Sequence, residues 1–124
     1  MIFLDTNAAI YLFSGYEHFP MKTQKAIEAD ECYVSPMVRL ELQYLFEIGR
    51  TKHKSQTVID TLYKDLGVLV HNHYFDPIVL DAISAPWSRH PFDRIITAHA
   101  KCMEAILVTT DKIILKNYPK AIWA

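Results

Sequence analysis

The segment Pro91–Lys112, PFDRIITAHAKCMEAILVTTDK, constrains the fold of this chain more than any other. Pro91 suits the first turn of a helix, with His90 just outside it. Phe92, Ile95, Ile96, His99, Ala100 and Met103 recur at helical spacing as one apolar stripe, and Asp93 lies at its edge in the first turn. Ala105–Val108 is too brief for a helix. In a chain that alternates helices with strands, such an apolar run reads as a buried parallel strand. Asp111 follows it. Ligand sites in open α/β sheets lie beyond the carboxyl ends of the strands, so this unit can deliver Asp93 and Asp111 to one end of a sheet.

The rest of the chain supplies that sheet. Met1–Leu4 is an apolar strand ended by Asp5, and Asp5-Thr6-Asn7 is capping chemistry for a short helix, Ala8–Phe13. Pro20 opens a second helix to Ala29, and Cys32–Ser35 forms a second strand. Ser35-Pro36 starts a long helix to Ile48, closed by Gly49. A polar helix follows over Lys54–Leu66, stopped by Gly67, and Val68–Val70 is a third strand. Asp76-Pro77 starts a helix that runs through Ile83 and ends at Pro86, and Ala121–Trp123 forms a last edge strand. This alternation implies an α/β protein with a parallel sheet covered on both faces. The 124 residues make one domain with one core and no repeat.

Charge and composition exclude several classes. A net charge of −1 gives no global attraction to nucleic acid or membrane, so any polyanion must be held by local charge or by metal. Cys32 and Cys102 each sit in an apolar run and read as reduced core thiols of a cytoplasmic protein. The first residues lack the basic region of a signal peptide, and no apolar segment approaches the roughly 20 residues that cross a bilayer.

Four acids attract a chemical reading. On a wheel of about 100° per residue, Glu41 falls within the arc of Met37, Leu40, Tyr44, Leu45 and Ile48. A lone carboxylate buried there would be costly, so either the helix rotates and Glu41 reaches water at its rim, or Glu41 meets a cation. Asp5 can serve as a helix N-cap, Asp93 complements a helix dipole and Asp111 can cap the turn Lys112–Leu115, so each has a purely local explanation. Taken together, all four can converge on one edge of one sheet. Four carboxylates repel strongly unless neutralised. Hard cations accept all-oxygen shells, with Mg²⁺ or Mn²⁺ fitting best, and two such ions would balance four charges and activate water for attack on a phosphodiester.

These residues resemble a known family. Asp5-Thr6-Asn7 after an N-terminal strand, Glu41 within SPMVRLEL, PFDRIITAHA around Asp93 and LVTTD ending at Asp111 are similar to the motifs of a PIN domain. Chain length and the PFDR segment resemble, more narrowly, the VapC-type toxins of bacterial toxin–antitoxin pairs. The resemblance implies a three-layer α/β/α sandwich with four to five parallel strands, and a metal-dependent endoribonuclease. It also implies a homodimer and a neutralising antitoxin encoded nearby. Carried over by position, the metal-binding acids are Asp5, Glu41, Asp93 and Asp111, supported by Thr6, Asn7 and Thr109. Two departures thin the negative charge: Ile113 and His90 stand where many relatives carry acids.

The weaker candidates are open. Arg39 and Arg94 can hold phosphate or pair with the acids, or can be ordinary helix-surface residues. His71 and His73 form an H-x-H at a strand end but lack a third ligand, so they read as loop residues. Tyr11, Phe13, Tyr44, Phe46 and Tyr63 read as core or interface. A receiver-like regulatory domain is excluded because His71-Asn72 follows the third strand where a phosphoacceptor Asp is needed. A phosphatase of the Asp-x-Asp type is excluded by Asn7. The remaining alternative is a catalytically weak PIN-like domain that binds RNA or a partner.

Overall fold

A computed structural model describes residues 1–124. Its five strands are β1 (Ile2–Leu4), β2 (Cys32–Val34), β3 (Leu69–Val70), β4 (Ile106–Val108) and β5 (Ala121–Ile122). All pair in parallel, in the order β3-β2-β1-β4-β5. The helices are α1 (Thr6–Ser14), α2 (Met21–Ala29), α3 (Pro36–Glu47), α4 (Ser55–Leu66), α5 (Phe75–Ile83), α6 (Pro91–Cys102) and α7 (Lys112–Asn117). The architecture is the α/β/α sandwich. No helix is long and apolar enough to cross a membrane.

The strand order explains where a site can form. From β1 the chain builds outward to β2 and β3, then returns and adds β4 and β5 on the opposite side of β1. The order therefore reverses between β1 and β4, which opens a crevice outside their carboxyl ends. Leu4 pairs with Val108 across that seam, so Asp5 and Thr109 leave the sheet side by side. Every residue of β1 is buried, because a central parallel strand is covered on both faces. Phe3, fully buried, contributes about 1.5–3 kcal/mol by leaving water.

Local chemistry sets the helix ends. Ser35 Oγ accepts from the Met37 N–H, 3.1 Å away, and Pro36 follows at the first helical position. Gly67 ends α4 with φ of 69°, the left-handed conformation that a residue with a Cβ rarely adopts. Two boundaries differ from the sequence expectation. Lys112–Asn117 is a helix rather than a bare turn, because Asp111 caps it. A short 3₁₀ turn, Tyr16–His18, bridges α1 and α2.

The face that α3 buries also differs. Val38, Glu41 and Leu42 are its buried residues, whereas Leu40, Tyr44 and Ile48 are 56%, 47% and 49% exposed. The helix carries two apolar arcs; it packs against α4, α6 and α1, and the Val38–Leu42 side is the one buried. Glu41 thus lies on the border between the covered arc and an exposed apolar stripe, not in the middle of a core-facing one. Both cysteines are free; Cys32 is buried and Cys102 only half-buried.

Candidate active site

Asp5, Glu41, Asp93 and Asp111 line one cavity of about 530 Å³ at the seam between β1 and β4. Each arrives by a different local device. Asp5 is the N-cap of α1, with Oδ1 accepting from the Ala8 N–H at 2.8 Å. Asp111 is the N-cap of α7, with Oδ1 accepting from the N–H groups of Ile113 and Ile114 at 2.8 and 3.1 Å. Asp93 sits in the first turn of α6, and Glu41 reaches in from the border of α3. The capping roles are therefore real, and they aim the carboxylates at the cavity rather than competing with that placement.

Two buried threonines position the acids. Thr6 Oγ1 donates to Glu41 Oε1, and Thr109 Oγ1 donates to Asp5 Oδ2. Thr109 Oγ1 also accepts from the Asp111 N–H at 3.0 Å, so one hydroxyl links the carboxylate after β1 to the backbone after β4. Asn7 lines the cavity and is exposed.

Burial and mutual charge load the site. Asp5 is 4% exposed, and its pKa is pushed up to about 7. Desolvation is the main cause; the charges of Asp93 and Glu41 add to it, and the bonds from Thr109 and Ala8 oppose it. Asp93 is raised to about 6, again by desolvation first, with Glu41 and Asp111 adding and His90 opposing. Excess negative potential is thus built into the cavity. As the side chains lie, no three His, Cys, Asp or Glu groups in the protein stand close enough to hold an ion among them. Asp5, Glu41 and Asp111 are instead each turned toward a donor of the protein itself.

His90 is the neighbour that Asp93 faces. Its Nε2 is 3.9 Å from Glu41 Oε2 and its Nδ1 is 3.4 Å from Asp93 Oδ2, so the ring lies between two of the acids. Its Nδ1 also faces the Asp93 N–H at 3.4 Å, as the N-cap of α6. The sequence marked His90 only as a missing acid; its place at the cap, three residues before Asp93, was the available signal.

The two arginines do not join the site. Arg94 donates to the carbonyls of Ala82 at 2.8 and 3.1 Å and of Ile83 at 3.3 Å, closing the C-terminal end of α5. Arg39 points away and bonds Gln56 at 3.2 Å. Neither lines the cavity, which accords with the helix-surface reading of the two left open by the sequence. The arginine that does line it is Arg50, in the turn after α3. No periodicity marks a loop residue, so nothing in the sequence singled it out. Tyr44, Leu45 and Ile48 form the cavity's apolar wall.

A parallel sheet with carboxylates gathered at its switch point defines a class of α/β protein built to hold positive charge there. The chain belongs to the PIN domain family, whose model matches residues 2–120. None of the curated proteins gives a significant sequence match. Among solved structures, the chain is similar to a toxin–antitoxin complex from Klebsiella pneumoniae, with TM-score 0.65, 19% identity, and coverage of 98% of this chain and 96% of that one. It is similar to VapBC2 from Rickettsia felis bound to a promoter DNA fragment, with TM-score 0.63, 23% identity and coverage of 98% and 96%. It also resembles DNA-bound VapBC from Salmonella typhimurium, with TM-score 0.65, 18% identity and coverage of 97% and 93%. At these identities the likeness is one of fold.

Proposed function

We propose that this chain is a cytoplasmic, Mg²⁺- or Mn²⁺-dependent endoribonuclease that acts as the toxin of a toxin–antitoxin pair. The observation that carries the reading is the cavity itself: four carboxylates at the switch point, two of them raised in pKa by burial first and then by neighbouring acids. The donor set suits such a cation, since Asp5, Glu41, Asp93 and Asp111 offer only hard carboxylate oxygens. A divalent cation held there would supply Lewis-acid stabilisation of phosphate charge and a water acidic enough to attack near neutral pH.

The protein's own residues set up the rest. Thr6 and Thr109 fix the directions of Glu41 and Asp5. Arg50 brings the positive charge that a phosphodiester needs at a cavity lined by acids. Exposed Tyr44 and Ile48, with half-buried Leu45 between them, give a base or ribose an apolar surface beside the carboxylates.

Two partners follow from the same reading. The Klebsiella pneumoniae neighbour is a toxin–antitoxin complex. An antitoxin for this chain would lay apolar anchors along an exposed helical face and insert a Lys or Arg among the four acids, competing with metal. A second copy of the chain would cover apolar residues left on α5, where Phe75, Leu80 and Ile83 are all exposed. The deciding experiment is incubation of RNA with purified protein, with Mg²⁺ and with excess EDTA. Cleavage that needs the ion supports a nuclease; RNA binding without cleavage in either condition leaves the RNA- or partner-binding domain instead.

A further inference from the structure

The fold completes a cluster that the sequence left incomplete. His71 directly follows β3 and His73 comes two residues later, and α6 brings His99 up to them. His71 Nδ1 and His99 Nε2 share a hydrogen bond of 3.0 Å. Two Zn–N bonds of about 2.0–2.1 Å at a tetrahedral angle place their nitrogens about 3.3 Å apart. The same geometry puts the two ring centres about 5 Å apart, and those of His71 and His99 are 5.1 Å apart. His73 stands further off, with its ring centre 6.2 Å from His99 and 6.4 Å from His71. His73 and His99 line the same cavity of about 220 Å³, whose walls include Met37, Phe75 and Ile95.

We propose that His71, His73 and His99 form a three-imidazole site for a borderline transition cation of the Zn²⁺ class, separate from the acid cavity. The three do not converge as they lie. His71 and His99 present a hydrogen-bonded pair of nitrogens that an ion would bridge in place of the shared proton, and closure also needs the half-buried His73 to turn toward them. Their rings are held by aromatic packing: Phe3 lies 5.3 Å from His71 and 4.9 Å from His99, and Tyr33 meets His71 edge-on at 5.1 Å. Burial, then the neighbouring histidines, pushes the pKa of His99 down to about 4, and burial also lowers that of His71. Both rings are therefore neutral at physiological pH, the form that ligates metal. Imidazole nitrogen selects Zn²⁺, Ni²⁺, Co²⁺ or Cu²⁺ and not Mg²⁺. An ion here would tie the chain after the two-residue edge strand β3 to α6, the helix that carries Asp93.

The test is a Zn²⁺ titration of the metal-free protein in excess Mg²⁺, which occupies oxygen sites but not imidazoles. The expected result is one Zn²⁺ per chain, with affinity at least about tenfold weaker in His73→Ala and unchanged in Asp5→Asn/Asp93→Asn. Absence of Zn²⁺ binding, full affinity in a folded His73→Ala, or loss of binding in the Asp5→Asn/Asp93→Asn protein would each overturn the proposal. Should His73→Ala fail to fold, Co²⁺ bound to the wild-type protein decides. Intense visible absorption marks a tetrahedral nitrogen-rich shell and supports the site, whereas the weak spectrum of six oxygen ligands refutes it.

Discussion

The acid cavity and the histidine cluster lie on the same helix, six positions apart at Asp93 and His99, and burial acts on them in opposite directions. In both places desolvation favours the uncharged form. For Asp5 and Asp93 that form is the protonated acid, so their pKa values rise to about 7 and about 6. For His99 it is the free imidazole, so its pKa falls to about 4. A neutral imidazole has its lone pair available, whereas a protonated acid has lost its charge. The lesson is that one physical effect leaves the acids in need of compensating positive charge and leaves the histidines without it.

The largest expected effect separates the two regions by chemistry. Asp93→Asn keeps the shape of the side chain but removes a candidate ligand, and RNA cleavage should fall at least about a hundredfold. Excess EDTA should do the same to the wild type. Undiminished cleavage in either case would remove the acid cavity from the reaction.

The second effect is on stability without metal, and here the regions should oppose one another. A carboxylate with a raised pKa holds a proton in the folded state that the unfolded chain releases. Asp5 therefore makes the metal-free protein lose stability as pH rises from about 4 to about 7, by on the order of a few kcal/mol. His99 has the reverse sign. Its contribution is fully present above about 6.5 and is lost as pH falls toward about 4. Denaturant melts across this range in EDTA should show Asp5→Asn flattening the fall and His99→Gln deepening it. Identical pH profiles for wild type and Asp5→Asn would mean that the cavity does not strain the fold.

A smaller effect follows from crowding of charge. The charge of Glu41 contributes to raising both Asp5 and Asp93. Glu41→Gln keeps an acceptor for the Thr6 hydroxyl and should raise the melting temperature in EDTA at neutral pH by a few degrees, on the scale of about 1 kcal/mol. A clear drop would argue that the Thr6 bond outweighs the repulsion. The smallest change concerns Arg50. Arg50→Ala should weaken RNA binding several-fold and make it less sensitive to salt, with little effect on folding. Equal salt dependence in both proteins would take Arg50 out of the phosphate path.

What the sequence by itself determined is what local chemistry controls. Strand ends, caps and turn residues place Asp5 and Asp111 just beyond β1 and β4, and alternation of elements makes the sheet parallel. The motifs around Glu41 and Asp93 carry the family resemblance over the whole chain. The tertiary structure alone decided which helix faces are covered. Periodicity shows that α3 has apolar arcs, but only packing against α4, α6 and α1 decides that Val38 and Leu42 are buried and Leu40, Tyr44 and Ile48 left in the open. Long side chains add a second uncertainty, since Arg94 neighbours Asp93 in sequence yet turns to the end of α5, while Arg50 enters the cavity from a loop. His99 reads in sequence as one position of an apolar stripe, and it is 1% exposed. Its partners His71 and His73 lie 28 and 26 positions away, and no local rule spans that distance. The physical reason is range: capping and periodicity act over a few residues, whereas the meeting of β3 and α6 depends on the strand order of the whole sheet.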